Sequence, residues 1–300
     1  MKPTFFVIGA SKSGTSSLCQ LVSNHPDVFF TTPKEPEYFS RGKQRGLTLE
    51  WYESLFAGAE GYRAAGDGST NYAVVGLHPG VAERIEAYSP GCRVIYIVRH
   101  PPERIESQWI QLRAGNEAPS NFVQAVREVR EMIEGNLYWK NISAFRRVIP
   151  DERILVLFFD DFKVDAEAVI RRCFRFLDLD PDVPLQAPET PRNVRQSKRQ
   201  SMAVLRALRR IPGYQQLRDA LIPTGVRPRL RRFVTHPIPD RPEWDEATFL
   251  WVVDRIREDN HRFLEFYGKP ADFWSYDLAW LEGRNVRKPA SDRDALSPVG

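Results

Sequence analysis

At 300 residues, with 42% hydrophobic and 27% charged, the chain is long enough to bury the core of one large α/β domain. A formal net charge of +4, left over from 43 basic and 39 acidic residues, suits an anionic ligand and falls short of a nucleic-acid-binding surface. Cys19, Cys92 and Cys173 are odd in number and lack any C-x-x-C or histidine partner pattern, which argues against a disulfide framework or a zinc site and for core thiols in a reducing compartment.

The first predicted element is a strand, Phe5 to Gly9, followed by the loop Ala10-Ser11-Lys12-Ser13-Gly14 and a helix from Thr15 to Asn24. Glycines let such a loop wrap an anion, successive N–H groups point inward, and the helix adds the positive end of its dipole. The spacing differs from the ATP-binding pattern G-x-x-x-x-G-K-[ST]: after Gly9 and Gly14, the lysine slot holds Thr15 and the lysine is displaced to Lys12. Further strands are expected at Val28 to Thr31, Arg93 to Val98 and Ile154 to Phe159. Helices are expected at Val81 to Tyr88, Glu103 to Arg113, Asn121 to Glu134, Trp139 to Val148 and Ala166 to Leu177. This alternation predicts an α/β fold with a central parallel sheet flanked by helices, its ligand crevice beyond the carboxyl ends of the strands, after Gly9, Thr31 and Val98.

Past Leu179 the chain turns Pro-rich and then basic, and Arg192 to Arg199 reads as a loop entering a basic helix. Glu243 to Tyr267 reads as a long helix closed by Gly268. The expected organisation is a single domain over 1–283 with a loose tail over 284–300. No apolar stretch approaches bilayer length, and Lys2-Pro3 leads straight into the first strand without a signal-peptide pattern, so a cytoplasmic protein is expected.

Four blocks in order, FFVIGASKSGTSSL, NHPDVFFTTPKEPEYF, DGSTNY and RVIYIVRHPPERIESQW, resemble the sulfotransferases that use 3′-phosphoadenosine 5′-phosphosulfate (PAPS), in particular the heparan sulfate sulfotransferases and their bacterial relatives. The resemblance runs from Phe5 to about Trp274 and implies a P-loop-like nucleotide-binding fold. It implies transfer of a sulfuryl group from PAPS to an acceptor hydroxyl or amine by in-line displacement, with the 3′,5′-bisphosphate (PAP) as product and no metal. It assigns Lys12, Ser13, Gly14, Thr15, Ser16 and Ser17 to the 5′-phosphosulfate and Arg99 and Ser107 to the 3′-phosphate. It places Ser197-Lys198-Arg199 in the late loop that covers the nucleotide, with Lys198 near phosphate and Arg199 beside it. Lys12 can neutralise the bridging oxygen as it leaves, and an arginine fork at a strand end offers two charge-assisted bonds to a phosphate.

The resemblance also points to Glu35 as general base, before the aromatic pair Tyr38-Phe39, with Glu37 as its local competitor. A histidine base, as in the cytosolic sulfotransferases of small phenols and steroids, would have to come from His25, His78, His100, His236 or His261, none of which falls in a matching block. The heparan branch carries a lysine where this chain has Gly68, and a late disulfide that this chain lacks; Lys34, beside Glu35, is the residue that could reach in instead. The acceptor is expected to be a small molecule or glycan rather than nucleic acid, and its identity and the oligomeric state stay open. Two other readings remain at this stage: a P-loop nucleotide kinase, with Asp160-Asp161 the nearest candidates for Mg²⁺, and a non-catalytic polyanion-binding module built on Arg192 to Arg199.

Overall fold

The computed structural model describes residues 1–185, 199–201, 235–237 and 242–285. A five-stranded parallel sheet forms the centre, in the order β2 (Val28–Phe30), β3 (Ala64–Asp67), β1 (Phe5–Gly9), β4 (Arg93–Val98), β5 (Ile154–Phe158). β1 is central, and Phe5 pairs with Gly66 on one side and Arg93 on the other. The chain leaves β1 toward β2 and β3, then returns to lay β4 on the opposite side, so the topological switch point lies at the carboxyl end of β1.

Each strand alternates its side chains between two cores. Phe5, Val7, Ile95 and Ile97 pack under α1 (Thr15–Val22) and, past α9 (Phe159–Val164), under α10 (Ala166–Phe176). Phe6, Ile8, Val94, Tyr96 and Val98 face the other layer. That layer includes α4 (Val81–Tyr88), α5 (Pro101–Gly115), α8 (Tyr138–Arg146) and a long C-terminal helix over Glu246–Phe266. Burial on both faces is why these strands read as near-continuous apolar runs.

Several expected elements hold with small shifts. The strands at Phe5 and Arg93 and the helix at Val81 have the expected bounds. The helix expected from Glu103 begins at Pro101, because two prolines fit a first turn whose N–H groups need no partner, and it stops at Asn116, where φ is 58°. The helix expected over Asn121 to Glu134 is two, α6 (Phe122–Glu128) and α7 (Glu131–Glu134), because Val129 takes an extended conformation. On one continuous helix Val126 and Met132 would point about 120° apart; the break lets both enter the same core. Phe159, expected as the last residue of β5, instead opens α9.

β3 has no strand signal in its sequence, since Ala-Ala-Gly-Asp carries no β-branched or large residue. Its smallness is a packing requirement. A Cβ on Gly66 would collide with the Phe5 ring, and one on Gly68 would lie 3.0 Å from both Cys19 Sγ and Phe30 Cε1. Two short helices, α2 (Tyr38–Arg41) and α3 (Leu49–Ser54), also escape sequence periodicity.

Beyond β5, the basic segment differs from the expected helix where it is described: Arg199–Ser201 is a short strand, β6, antiparallel to β7 (Thr235–Pro237) and lying against α5. The long helix α11 runs Glu246–Phe266, started by the Asp245 side chain accepting from the Thr248 N–H. The last helix, α12 (Leu278–Asn285), extends two residues into the expected tail, and 286–300 lie outside the described residues. Among the described residues no helix is long and apolar enough to cross a membrane.

Candidate functional site

All five strands end on the same edge of the sheet, and the polar residues singled out in the sequence sit in the connections that leave it. The loop after β1 takes left-handed backbone at Lys12 (φ 69°) and Gly14 (φ 87°), a conformation that turns N–H groups toward a common centre. Gly14 cannot be larger, because a Cβ there would sit 2.6 Å from the Phe159 ring. No side chain caps α1 and its first turn carries no acidic residue, so the helix end keeps its positive character. Ser13 is fully buried in this loop, and its hydroxyl has no hydrogen-bond partner among the described residues. A buried hydroxyl left open beside an uncapped helix start fits an anionic ligand.

Arg99, the residue after β4, lies beside the loop. Its Nη1 donates to the Lys12 carbonyl at 3.4 Å, its Nε and Nη2 donate to Glu103 Oε2 at 3.1 and 2.6 Å, and its guanidinium lies over the Phe159 ring at 5.1 Å. Lys12 Nζ donates to Gln111 Oε1 at 2.6 Å. Glu103, Ser107 and Gln111 are spaced four residues apart on α5, so they share one helix face. That face contacts Arg99 at its start and Lys12 at its end, which puts Ser107 between them. The structure therefore brings Lys12, Arg99 and Ser107 to one place. Gln111, Glu103 and Phe159 complete it and had no motif to announce them: the first two are ordinary helix polar residues, and Phe159 reads as the end of an apolar strand.

On the other side of the loop, Lys34 Nζ lies 3.4 Å from Ser16 Oγ and 3.0 Å from Glu35 Oε1. Lys34 thus links the segment after β2 to the first turn of α1, with Glu35 39% exposed and beside it. Glu37 is a different kind of residue. Its side chain is only 8% exposed, forms an ion pair with Arg45 at 2.5 Å and accepts from Asn71 Nδ2. Its own N–H donates to Ser69 Oγ at 2.9 Å, and Ser69 Oγ donates to Asp67 Oδ1 at 2.6 Å.

Asp67 is completely buried at the end of β3 and accepts from the Tyr52 and Tyr72 hydroxyls, each at 2.8 Å. Burial pushes its carboxyl up to about 6, against the downward pull of these three hydroxyl donors. The network from Asp67 through Ser69 to the Glu37 backbone anchors the segment that carries Lys34 and Glu35. Gly68 is packed against Cys19 and Phe30, so no lysine leaves the chain at that point.

Two of the histidines, His25 and His100, are bonded away from the loop. His25 Nε2 meets the Asp180 carbonyl at 3.2 Å, and its Nδ1 accepts from the Asp27 N–H. His100 follows Arg99 but stacks on Tyr276 and bonds the Ser275 carbonyl at 2.8 Å. His78 is buried, and desolvation lowers it to about 4. His261 stands on α11, and the side chain of His236 on β7 is not described. Lys198 lies outside the described residues; Arg199 is in β6, described by its backbone alone. Asp160 and Asp161, the candidates for Mg²⁺, are paired with ammonium groups: Asp160 with Lys163 at 2.8 Å and Asp161 with Lys269 at 3.0 Å. Among the described residues no group of three or more His, Cys, Asp or Glu could hold a metal ion.

A family model, the sulfotransferase domain, matches residues 2–209. This chain belongs to the sulfotransferase family. The sulfotransferase fold is seen directly in the crystal structure of a sulfotransferase from Alicyclobacillus acidocaldarius, which superposes with a TM-score of 0.57 at 26% identity, covering 65% of this chain and 89% of that one. Human heparan sulfate glucosamine 3-O-sulfotransferase 6 is 33% identical over 109 residues, 36% of this chain and 30% of that protein. Human carbohydrate sulfotransferase 15 is 21% identical over 247 residues, 60% of this chain and 44% of that protein. The match spans less than half the length of either curated relative. The expected α/β fold and the resemblance to sulfotransferases of the heparan sulfate type and of bacteria are both borne out.

Proposed function

We propose that this sulfotransferase moves a sulfuryl group from PAPS to an acceptor hydroxyl or amine. The observation that carries the reading is the uncapped start of α1, where the buried Ser13 hydroxyl has no partner among the described residues, Lys12 stands in the same loop and Arg99 approaches it from β4. The N–H groups of this loop, with Ser13, Thr15, Ser16 and Ser17, would hold the 5′-phosphosulfate, and Arg99 with Ser107 the 3′-phosphate. The donor supplies an activated sulfuryl group whose sulfur–oxygen bond to phosphate breaks as the bond to the acceptor forms.

Within that reading, the Lys12 ammonium meets the negative charge that grows on the departing phosphate oxygen. Glu35, exposed at the crevice, takes the acceptor's proton. Lys34, bonded to both Ser16 and Glu35, supplies a second ammonium at the sulfuryl side, in place of the lysine absent at position 68. Glu37 serves structure instead, its carboxylate committed to Arg45 and Asn71. The reading needs positioning and charge neutralisation above all, since two phosphate sites on rigid strand ends hold the donor for attack.

A place in a reducing compartment, the cytoplasm, is part of the same proposal and rests on Cys19, Cys92 and Cys173 being free thiols rather than a disulfide framework. The kinase reading is disfavoured by Thr15 in the lysine slot and by the ammonium partners of Asp160 and Asp161. The test is incubation with [³⁵S]PAPS and cell extract fractionated by polarity, beside a parallel incubation with ATP and Mg²⁺. Label transferred to one fraction supports the reading; ATP turnover without sulfuryl transfer overturns it.

A further inference from the structure

A cavity of about 600 Å³ lies between α1 and the edge strand β2, leading away from Ser16 and Lys34 of the proposed donor site. Ser16 and Lys34 form its inner end, and Ser23, at the carboxyl end of α1, lies at the other. Seven residue steps along the helix lead from Ser16 to Ser23, a span of about 10 Å. The size suits one small molecule.

The sheet order decides what such a cavity is for. Arg99 and Ser107 follow β4, on one side of the central strand β1, so a nucleotide held between them and the loop extends toward β4. The cavity lies on the opposite side, beyond β3 at β2. In-line displacement needs the nucleophile opposite the leaving oxygen. A molecule entering along β2 arrives opposite the nucleotide, beside Lys34 and its bonded partner Glu35.

The walls identify the chemical class. Phe29, Phe30 and Tyr62 contribute aromatic surface, and Lys34 is the single charged group among the described residues that line it. Thr31 also lines the cavity; it is buried, and its hydroxyl has no hydrogen-bond partner among the described residues. A buried hydroxyl without a partner is costly unless a ligand satisfies it. A sulfated glycan would need several cations to offset its charge, and these walls offer one. Resting on the sulfotransferase reading, we infer that the α1–β2 cavity is the acceptor site and that the acceptor is an uncharged, slender alcohol or phenol. Its apolar body lies along Phe29, Phe30 and Tyr62, and its hydroxyl reaches Lys34 and Glu35.

The experiment uses the full chain with [³⁵S]PAPS and three acceptors: phenol as a short probe, 1-decanol as a long one, and a heparin-derived octasaccharide. PAP affinity, measured by calorimetry, checks the fold and nucleotide site of every variant. Wild type is expected to sulfate phenol and decanol and not the octasaccharide. Ser23→Trp, which fills the far end, is expected to lower kcat/KM for decanol at least tenfold while sparing phenol and PAP binding. Gln20→Trp, midway along the same wall, is expected to slow both alcohols and serves if Ser23→Trp fails to fold. Sulfation of the octasaccharide alone, no sulfation of either alcohol by a protein that binds PAP, or equal decanol activity in wild type and both variants overturns the acceptor site while leaving the sulfotransferase reading standing. A wild-type protein that does not bind PAP removes the reading itself, and this inference with it.

Discussion

The Lys12 ammonium and Gln111 Oε1 stand 2.6 Å apart, joining the loop after β1 to a helix 99 residues later in the chain. This bond aims the displaced lysine at the face of α5 that also carries Ser107, so the residue that breaks the ATP-binding spacing is held at the centre of the site. Lys12→Ala is expected to lower sulfuryl transfer by about 3 to 4 kcal/mol in activation free energy, the cost of one lost donor at a developing oxyanion. Gln111→Ala, which removes this one bond and keeps the ammonium, is expected to cost far less. Steady-state rates with saturating PAPS decide the matter, and a Lys12→Ala rate within a few-fold of wild type would reject the role.

Arg99 is braced by Glu103 and by the Phe159 ring before any ligand arrives. Such bracing lowers the entropy lost when the fork meets a phosphate. Calorimetry with PAP and with adenosine 5′-phosphate is expected to show wild type preferring the 3′-phosphorylated nucleotide, and Arg99→Ala losing most of that preference. Equal affinity of wild type for the two nucleotides would remove Arg99 from the 3′-phosphate site.

Glu35 and Glu37 are two residues apart and differ in burial, 39% against 8% side-chain exposure. Glu35→Gln is expected to cut transfer by roughly 10² to 10⁴ with little change in Tm or PAP affinity, because it keeps the shape but cannot take a proton. Glu37→Gln is expected to do the reverse, lowering Tm through the loss of the buried carboxylate that pairs with the half-exposed Arg45, while leaving transfer nearly intact. Thermal melts and rates on the same preparations separate the two. A dead Glu37→Gln that melts like wild type would exchange the assignments.

Asp67 gives the protein a pH dependence with a definite sign. Its carboxyl is raised in the folded state from 3.8 to about 6, so its contribution to stability is fully present below the unfolded value and is lost as pH rises through the folded one. The change across that window is about 3 kcal/mol at most. Urea unfolding at a series of pH values from 4 to 7 is expected to show Asp67→Asn losing less stability across the window than wild type. Asp259, also raised to about 6 by burial, keeps a similar dependence in both proteins and cancels in the comparison. Parallel curves for the two proteins would show that Asp67 titrates normally.

Strands β1 and β4, the anion loop and the sheet edge that carries the candidate site are legible in the amino-acid pattern alone. Phe5 to Gly9 and Val94 to Val98 are buried on both faces, so each of these positions is apolar or small and the strands announce themselves. The loop was legible because left-handed backbone and close approach to Phe159 leave only glycine at position 14. β3 was not legible, since its identity rests on Gly66 and Gly68 making room for rings from β1 and β2, a requirement that exists only once three strands are assembled. The same holds in the site. Arg99 and Lys12 could be singled out by their motifs, but that Gln111 and Glu103 hold them, that Glu37 is buried while Glu35 is not, and that a cavity opens along β2, across β1 from Arg99, all depend on contacts between segments distant in the chain. Local pattern records what a residue's own backbone demands; which side chains meet is decided by the packing of helices and strands around one sheet.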